Sequence, residues 1–126
     1  MTHSPPTRGI VLFAHGSRDP LWHKPMEAVA RRVQEQSPSA HVACAYLELS
    51  QPDLPTATAM LVDHGVTDIT VVPMFLGVGK HAREDLPVIV TALREKHQHV
   101  TFQLQRAVGE NPLLVALLAD IALEKL

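Results

Sequence analysis

Gly9-Ile-Val-Leu-Phe-Ala14 is an unbroken apolar run that stops at the polar stretch His15-Gly-Ser17. A short apolar run without polar alternation is typical of a strand buried on both faces of a parallel sheet. The runs His41–Tyr46 and Asp68–Pro73 have the same pattern between polar or proline residues, whereas Val100–Leu104 alternates as a half-exposed edge strand does. The sequence therefore predicts four strands.

Helical spacing of apolar residues fills the segments between and after these strands. The first helix is predicted to begin near Pro25, which leaves residues 17–24 as a loop, because proline is tolerated in a first turn. The other helix boundaries carry residues typical of caps and first turns: Asp53 and Gly65 at the two ends of the second helix, a start a few residues upstream of Pro87 for the third, and Asn111-Pro112 at the start of the last. The last helix carries Leu114, Leu117, Leu118 and Ile121 and is predicted to run to the end.

Strands and helices alternate four times, which predicts an α/β fold. Right-handed crossovers then give a three-layer αβα sandwich, with helices on both faces of a four-stranded parallel sheet. The expected strand order is 2-1-3-4. In such a sheet ligands bind beyond the carboxyl ends of the strands, where the winding direction reverses, here between strands 1 and 3.

Composition limits the chain to one domain and excludes several classes of protein. The 126 residues are 46% apolar and 19% charged with a net charge of −2, which excludes a disordered or coiled-coil chain and leaves no basic field for nucleic acid. We expect a flexible N-terminal tail over residues 1–8 and a single domain over residues 9–126. No apolar run reaches the ~18–20 residues of a membrane span, and no signal peptide is visible.

Cysteine usage points to nitrogen and oxygen ligands. Cys44 is the only cysteine, so the chain has neither an internal disulfide nor a cysteine-rich zinc or iron–sulfur site. A reducing, cytoplasmic setting is the default for such a chain.

Two histidines and a glutamate are the candidate metal ligands. His15 follows strand 1, Glu48 follows strand 2, and His81 follows strand 3, so all three are expected at the crevice. Taken singly, a histidine at a strand end is more often a hydrogen-bonded loop residue, and a glutamate there is usually solvated. Together, two imidazoles and a carboxylate suit a divalent metal such as cobalt, iron, nickel or zinc. The remaining histidines have ordinary structural explanations: His3, His23, His41, His64, His97 and His99.

The glycines of these loops have two readings that the sequence leaves open. Gly16, Gly77 and Gly79 either supply a positive φ in turns or let the backbone approach a large flat ligand. The chain has no GxGxxG or GxxxxGK[ST] motif, so a nucleotide cofactor is not predicted. Ser17 lacks the GxSxG setting of a hydrolase nucleophile.

Three blocks of sequence together resemble the CbiX/SirB family of sirohydrochlorin chelatases. The blocks are His15–Pro20, Tyr46–Leu49, and Val72–Gly77 followed by Gly79–Pro87, and the resemblance extends from about Gly9 to the C-terminus. It implies a chelatase-like fold and a lyase that inserts a divalent metal into a tetrapyrrole without ATP. The implied reaction is Co²⁺ insertion into sirohydrochlorin for cobalamin biosynthesis, with Fe²⁺ insertion for sirohaem biosynthesis as the alternative. The length resembles the short form, which implies a homodimer framing the tetrapyrrole.

Carried over to this sequence, the resemblance implies that His15 and His81 are metal-site histidines and that Glu48 is the acidic residue beside them. Lys80 departs from the family pattern, since many relatives have a small residue there. Because sirohydrochlorin is rich in carboxylates, Arg18, Lys80 and Arg83 are the expected substrate-binding cations, with Asp19 orienting Arg18.

Two other classes of function stay open on sequence grounds. The same histidines suit a protein that binds and delivers a metal or a tetrapyrrole without catalysis. A flavodoxin-like regulatory or hydrolytic domain is the weakest alternative, because no phosphoacceptor pocket or nucleophile elbow is recognisable. The physiological metal is undetermined, since His and Glu ligands accept several.

Overall fold

A computed structural model describes residues 7–126 of the chain. Strands and helices alternate along it, separated by two short 3-10 helices, Pro20–His23 and Val108–Glu110. The main elements are β1 (Arg8–Ala14), α1 (Lys24–Gln36), β2 (His41–Tyr46), α2 (Leu54–Asp63), β3 (Asp68–Pro73), α3 (Lys80–Lys96), β4 (Thr101–Leu104) and α4 (Pro112–Ala122).

All four strands form one parallel sheet in the order β2-β1-β3-β4. The predicted fold class and strand order are therefore confirmed. In β1, Ala14 pairs with Tyr46 of β2 and Phe13 pairs with Pro73 of β3. Because these three strands end together, the segments that follow them meet at one edge of the sheet, which we call the carboxyl edge.

The core is divided between the two faces of the sheet. On one face, α2 and α3 pack against β1, β3 and β4 in a large cluster that includes Phe13, Val71 and Val90. On the other, α1 packs through Met26 against Ile10 and Leu12 of β1 and their neighbours. Every residue of β1 after Arg8 is buried, as its unbroken apolar run predicts.

The starts of α2 and α4 agree with the sequence prediction, and α1 begins at Lys24, next to the predicted Pro25. Asp53 caps α2 by accepting a hydrogen bond from the Thr56 N–H at 2.9 Å, and Asn111 caps α4 in the same way. The predicted loop 17–24 contains a 3-10 helix, because the Asp19 carboxylate caps its first turn through the Leu21 N–H at 2.9 Å. Asp19 is thus a cap rather than a partner that orients Arg18.

Pro87 lies two turns inside α3 rather than close to its start. Its ring is exposed, whereas Ala82, Leu86, Val90 and Leu93 are buried against the sheet. Burial of this apolar stripe outweighs the hydrogen bond that a proline removes from a helix interior.

Helices lie on both faces of the sheet, as predicted, with α1 on one face and α2 and α3 on the other, whereas α4 adds no buried residue to either cluster. None of its residues is buried, and Leu113, Leu117 and Ile121 are among the exposed large apolar side chains of the chain. The pattern of Leu114, Leu117, Leu118 and Ile121 correctly indicated a helix. It could not indicate what the helix packs against, because apolar periodicity is the same for a core helix and an interface helix.

The expected N-terminal tail falls largely on residues 1–6, which lie outside the described residues. Strand β1 begins at Arg8, one residue earlier than predicted, and Thr7 is already hydrogen-bonded to Thr67. Among the described helices, none has the length and apolar character needed to cross a membrane.

Candidate metal and tetrapyrrole site

His15 and Glu48 lie side by side at the carboxyl edge because their backbones continue the β1–β2 pairing. The Leu47 N–H donates to Ala14 O at 2.9 Å, and the Glu48 N–H donates to His15 O at 3.0 Å. Both side chains are exposed, so an imidazole and a carboxylate face solvent from adjoining segments.

Gly16 makes this close approach of the two segments possible. Its φ is +102°, a region that other residues rarely adopt, and a Cβ at this position would collide with the carbonyl oxygen of Glu48. The reading of Gly16 as a turn residue with positive φ is therefore confirmed, and its close backbone neighbour is Glu48. The approach of its backbone to a flat ligand stays a prediction. Gly77 and Gly79 have no positive φ and open space around them.

A hydrogen-bond network joins the segments further along and was missed by the sequence analysis. The Ser50 hydroxyl accepts from the Ser17 N–H at 2.9 Å and donates to Ser17 O at 2.7 Å. The His23 Nε2 lies 3.0 Å from Ser17 O and 3.1 Å from Ser50 Oγ. Because a carbonyl oxygen only accepts, this geometry assigns the proton to Nε2. We call these contacts the Ser50 network. No sequence pattern around Ser50 indicates that its hydroxyl makes these hydrogen bonds.

Aromatic packing supports both histidines of this region. His23 packs against Tyr46 with ring centroids 4.8 Å apart, and Trp22 lies beside both. Burial raises the pKa of Tyr46 to about 12, so its phenol stays protonated near neutral pH. The His15 ring lies 4.4 Å from the ring of Phe75, which is buried at the end of β3. His15 thus contacts the segment that leads to His81.

His81 lies in the first turn of α3, at the end of the exposed connection that follows β3. The cap position before this helix is Gly79, which supplies no side-chain cap, and the first turn has no acidic residue. Instead Lys80, His81 and Arg83 place cationic or ionisable groups where the helix dipole favours an anion. The first turn of α3 is therefore less stable than a capped one, and its N–H groups and positive charges suit a carboxylate ligand.

Two hollows at the carboxyl edge hold two of the predicted substrate-binding cations. One, of about 430 Å³, is lined by Arg18 together with His23, Glu27 and Ser50. The other, of about 310 Å³, is mainly apolar and is lined by Arg83 and Arg106. Lys80 is exposed and lines neither of these two hollows. Arg106 was missed, although its position just after β4 was a signal for the carboxyl edge.

No ready-made metal centre is present among residues 7–126, since no group of three or more His, Cys, Asp or Glu side chains is placed to hold an ion. The structure joins His15 and Glu48 through their backbones and puts His81 on the neighbouring connection. Cys44 lies apart in β2, where burial raises the pKa of its thiol and keeps it protonated. The available donors are therefore imidazole and carboxylate groups.

Comparison with known proteins assigns the chain to a family, because the CbiX family model matches residues 9–125. The chain belongs to the CbiX family. The match covers all four strands and the three candidate ligands, as the resemblance of the sequence blocks predicts.

Curated relatives of this CbiX chain carry two related names. The sirohydrochlorin cobaltochelatase of Methanocaldococcus jannaschii is 32% identical over 89 residues, which are 71% of this chain and 62% of that protein. The chloroplastic sirohydrochlorin ferrochelatase of Arabidopsis thaliana is 25% identical, over 89% of this chain and 50% of that protein. The aligned region spans only 54–62% of the length of three archaeal cobaltochelatases that the chain matches, that of Methanocaldococcus jannaschii among them.

A solved structure matches the CbiX chain over nearly its whole length. It is that of a CbiX protein of Marinobacter aquaeolei assigned to cobalamin (vitamin B12) biosynthesis. The two chains are 37% identical with a TM-score of 0.80, and the match covers 94% of this chain and 96% of the other.

Proposed function

We propose that this CbiX chain inserts a divalent metal ion into sirohydrochlorin, with Co²⁺ as the first choice and Fe²⁺ as the alternative. The observation that carries the proposal is the backbone contact of His15 and Glu48 at the carboxyl edge, together with the contact of the His15 ring with Phe75 on the connection that leads to the uncapped cationic start of α3. The names of the cobaltochelatase and ferrochelatase relatives support the reaction class and both metals.

In this proposal the metal is a substrate, which His15 and His81 hold only in transit. A hydrated cation must lose water before it enters the ring, and neutral imidazoles replace water as ligands while leaving other positions open. A full set of protein ligands would store the ion. Two histidines on separate connections, with Glu48 beside one of them, form the incomplete set that transfer requires.

The ring must lose two pyrrole protons as the metal–nitrogen bonds form, and Glu48 is the proposed acceptor, which takes them one at a time and passes each to water. Its side chain is exposed next to His15, whereas the Tyr46 side chain is buried and its phenol is protonated near neutral pH. Holding the metal and the ring together also turns a bimolecular encounter into an intramolecular step.

The rim of the site suits a carboxylate-rich ring. Arg83 and Arg106 line the apolar hollow, and the free N–H groups at the start of α3 favour anions. Arg18 lines the second hollow on the other side of His15. We propose that these three arginines, with Lys80, bind the substrate carboxylates.

We propose further that the active form is a cytoplasmic homodimer. The apolar hollow of about 310 Å³ is at the lower limit of ~300–1,000 Å³ for small-molecule sites, so one copy offers an open surface to a ring larger than most drugs. A second copy would enclose the ring from its other side. A chain with one cysteine is also compatible with a reducing compartment.

A multiple-turnover assay tests the proposal and separates it from simple binding. Purified protein is mixed with excess metal-free sirohydrochlorin and Co²⁺ or Fe²⁺, and metal insertion is followed by absorbance against a reaction without enzyme. A catalyst converts many equivalents of ring per chain. Conversion of one equivalent or less would instead support a binding and delivery protein, and the ratio of the two rates identifies the preferred metal.

A further inference from the structure

Within residues 7–126, helix α4 is apolar except for Asp120 and makes its main contacts with the short 3-10 helix that precedes it. Residues 113–119 read Leu-Leu-Val-Ala-Leu-Leu-Ala, without a charged or polar side chain. No residue of α4 is buried, and Leu113 is 80% exposed. A helix that is hydrophobic all round is normally buried, so this surface requires a cover.

The exit of α4 from the domain is fixed by the segment before it. The Gly109 N–H donates to Phe75 O at 2.9 Å, and a Cβ at Gly109 would collide with the backbone of Leu76. The 3-10 helix Val108–Glu110 is thereby held against the end of β3, and α4 makes its main contacts with that 3-10 helix. Folding α4 back onto its own sheet would require this attachment to change.

The sheet has a matching open surface on the face that carries α1. There α1 packs on the β2 side, whereas α3 packs on β4 from the opposite face. Val72 of β3 and Met74 just after it are only half-buried, and Thr101 and Gln103 of β4 are exposed. We call this surface the β3–β4 face.

We propose that two copies of this chain exchange their C-terminal helices, with α4 of each copy covering the β3–β4 face of the other. This rests on the homodimer proposed above and names its interface. One chain carries both the uncovered helix and the uncovered face, so a two-fold axis satisfies both at once and leaves no open end for further assembly.

The exposed apolar area is large enough for a stable dimer. Seven large side chains from α4 onward are 39–83% exposed: Leu113, Val115, Leu117, Leu118, Ile121, Leu123 and Leu126. At roughly 60–120 Å² of apolar surface for each such side chain, they present on the order of 400 Å² per copy. Two helices and the two faces that they cover then approach the ~1,200–2,000 Å² of specific interfaces.

The test measures the mass of the full chain in solution by light scattering and sedimentation. A helix variant, Leu117→Glu with Ile121→Glu, places two charges one turn apart on α4. A face variant, Thr101→Glu with Gln103→Glu, charges the β3–β4 face. All four positions are exposed in the single chain, so the domain should fold, which circular dichroism checks. The matched control is Val88→Glu, an apolar residue of α3 that is 68% exposed.

We expect a dimeric wild type, a rise of at least 10-fold in dimer dissociation constant for both the helix and the face variant, and no change for Val88→Glu. An equimolar mixture of the two variants should dimerise better than either alone, because one intact helix then meets one intact face.

Three results would overturn the inference. A monomeric wild type in which the α4 amides exchange slowly would mean that α4 covers its own sheet. An unchanged dimer dissociation constant in the helix variant would be compatible with the proposed homodimer but would mean that α4 is not part of its interface. Loss of dimer in the helix variant alone would indicate helix-on-helix pairing. Metal insertion, assayed separately, tests the proposed chemistry whichever result is obtained.

Discussion

The two connections that flank the end of β1 are built in opposite ways. The β2–α2 connection is tied to the His15 segment by the Glu48 N–H and the Ser50 network, and it ends in the Asp53 cap. The β3–α3 connection exposes Leu76, Gly77 and Gly79 and enters α3 without a side-chain cap. The first connection ends in a capped helix start, whereas the second ends in a helix start without a side-chain cap.

This difference suggests a division of labour between the two histidines. His15 is held between the β2–α2 connection and the Phe75 ring, which suits a ligand of fixed position. His81 stands at an open helix start among cations, which suits a group that engages metal and carboxylates together. Substitutions near His15 and the β2–α2 connection should therefore change the position of a metal ligand. Substitutions near His81 and the β3–α3 connection should change the binding of metal and substrate.

Removing either histidine should have the largest effect. We expect His15→Ala and His81→Ala to fold normally and to lose on the order of 100-fold in insertion rate at limiting metal, since few other ligands are available. Excess metal should restore more of the rate in His81→Ala than in His15→Ala. The measurement is the initial rate against metal concentration, with His99→Ala at the opposite edge of the sheet as control. Wild-type rates in both variants would refute the metal-site assignment.

Ser50→Ala should weaken the attachment of the β2–α2 connection to the His15 segment. It removes the hydroxyl that bridges the Ser17 N–H and carbonyl, so we expect about 1–3 kcal/mol of lost stability. The kcat should fall with little change in KM for the ring, because the His15 segment loses its position. Thermal unfolding and steady-state rates check this, with Ser39→Ala, an exposed turn residue, as control. An unchanged kcat in a destabilised protein would make the network purely structural.

Asp53→Ala should cost about 1 kcal/mol of stability through loss of a helix cap, without altering the rate constants. Hydrogen bonds from Thr56 hold the pKa of the Asp53 carboxyl below its ordinary value. A group with a lowered folded-state pKa stabilises the fold above its unfolded pKa and loses this contribution as the pH falls through the folded value. The stability difference between wild type and Asp53→Ala should therefore be constant near neutral pH and shrink in acid. A difference that persists at low pH would point to packing.

The fold could be predicted from sequence almost entirely, and the site only in part. Buried strands such as β1 can be recognised in the sequence because burial on both faces excludes polar residues. The parallel strand order follows from the right-handedness of the crossover connections. The approach of His15 to Glu48 follows from that order. The Ser50 network could not be predicted, because it depends on the path of two loops in space. The exposure of α4 could not be predicted either, because the apolar pattern of a helix does not specify which surface the helix packs against.

Arg83→Ala tests whether the start of α3 binds substrate carboxylates. Loss of one exposed cation facing a carboxylate should raise KM for sirohydrochlorin roughly 2–5-fold, in line with ~0.5–1 kcal/mol for a surface ion pair, and leave kcat unchanged. The effect should shrink with added salt. Arg31→Ala, an exposed arginine of α1, is the matched control. An equal KM effect in both variants would mean that only net charge matters.

Gly79→Asp gives the smallest and most discriminating change, because it makes the start of α3 resemble that of α2. Gly79 has an extended backbone and open space around its Cβ position, so an aspartate fits without strain. As a cap it should stabilise the protein by a few tenths of a kcal/mol, and up to about 1 kcal/mol with the dipole included. Its carboxylate would occupy the place that we assign to a substrate carboxylate, so KM for the ring should rise while the melting temperature also rises. Gly79→Ala separates loss of glycine from gain of charge. If Gly79→Asp stabilises the fold and leaves KM unchanged, the uncapped start of α3 has no part in substrate binding, and the contrast between the two connections is structural only.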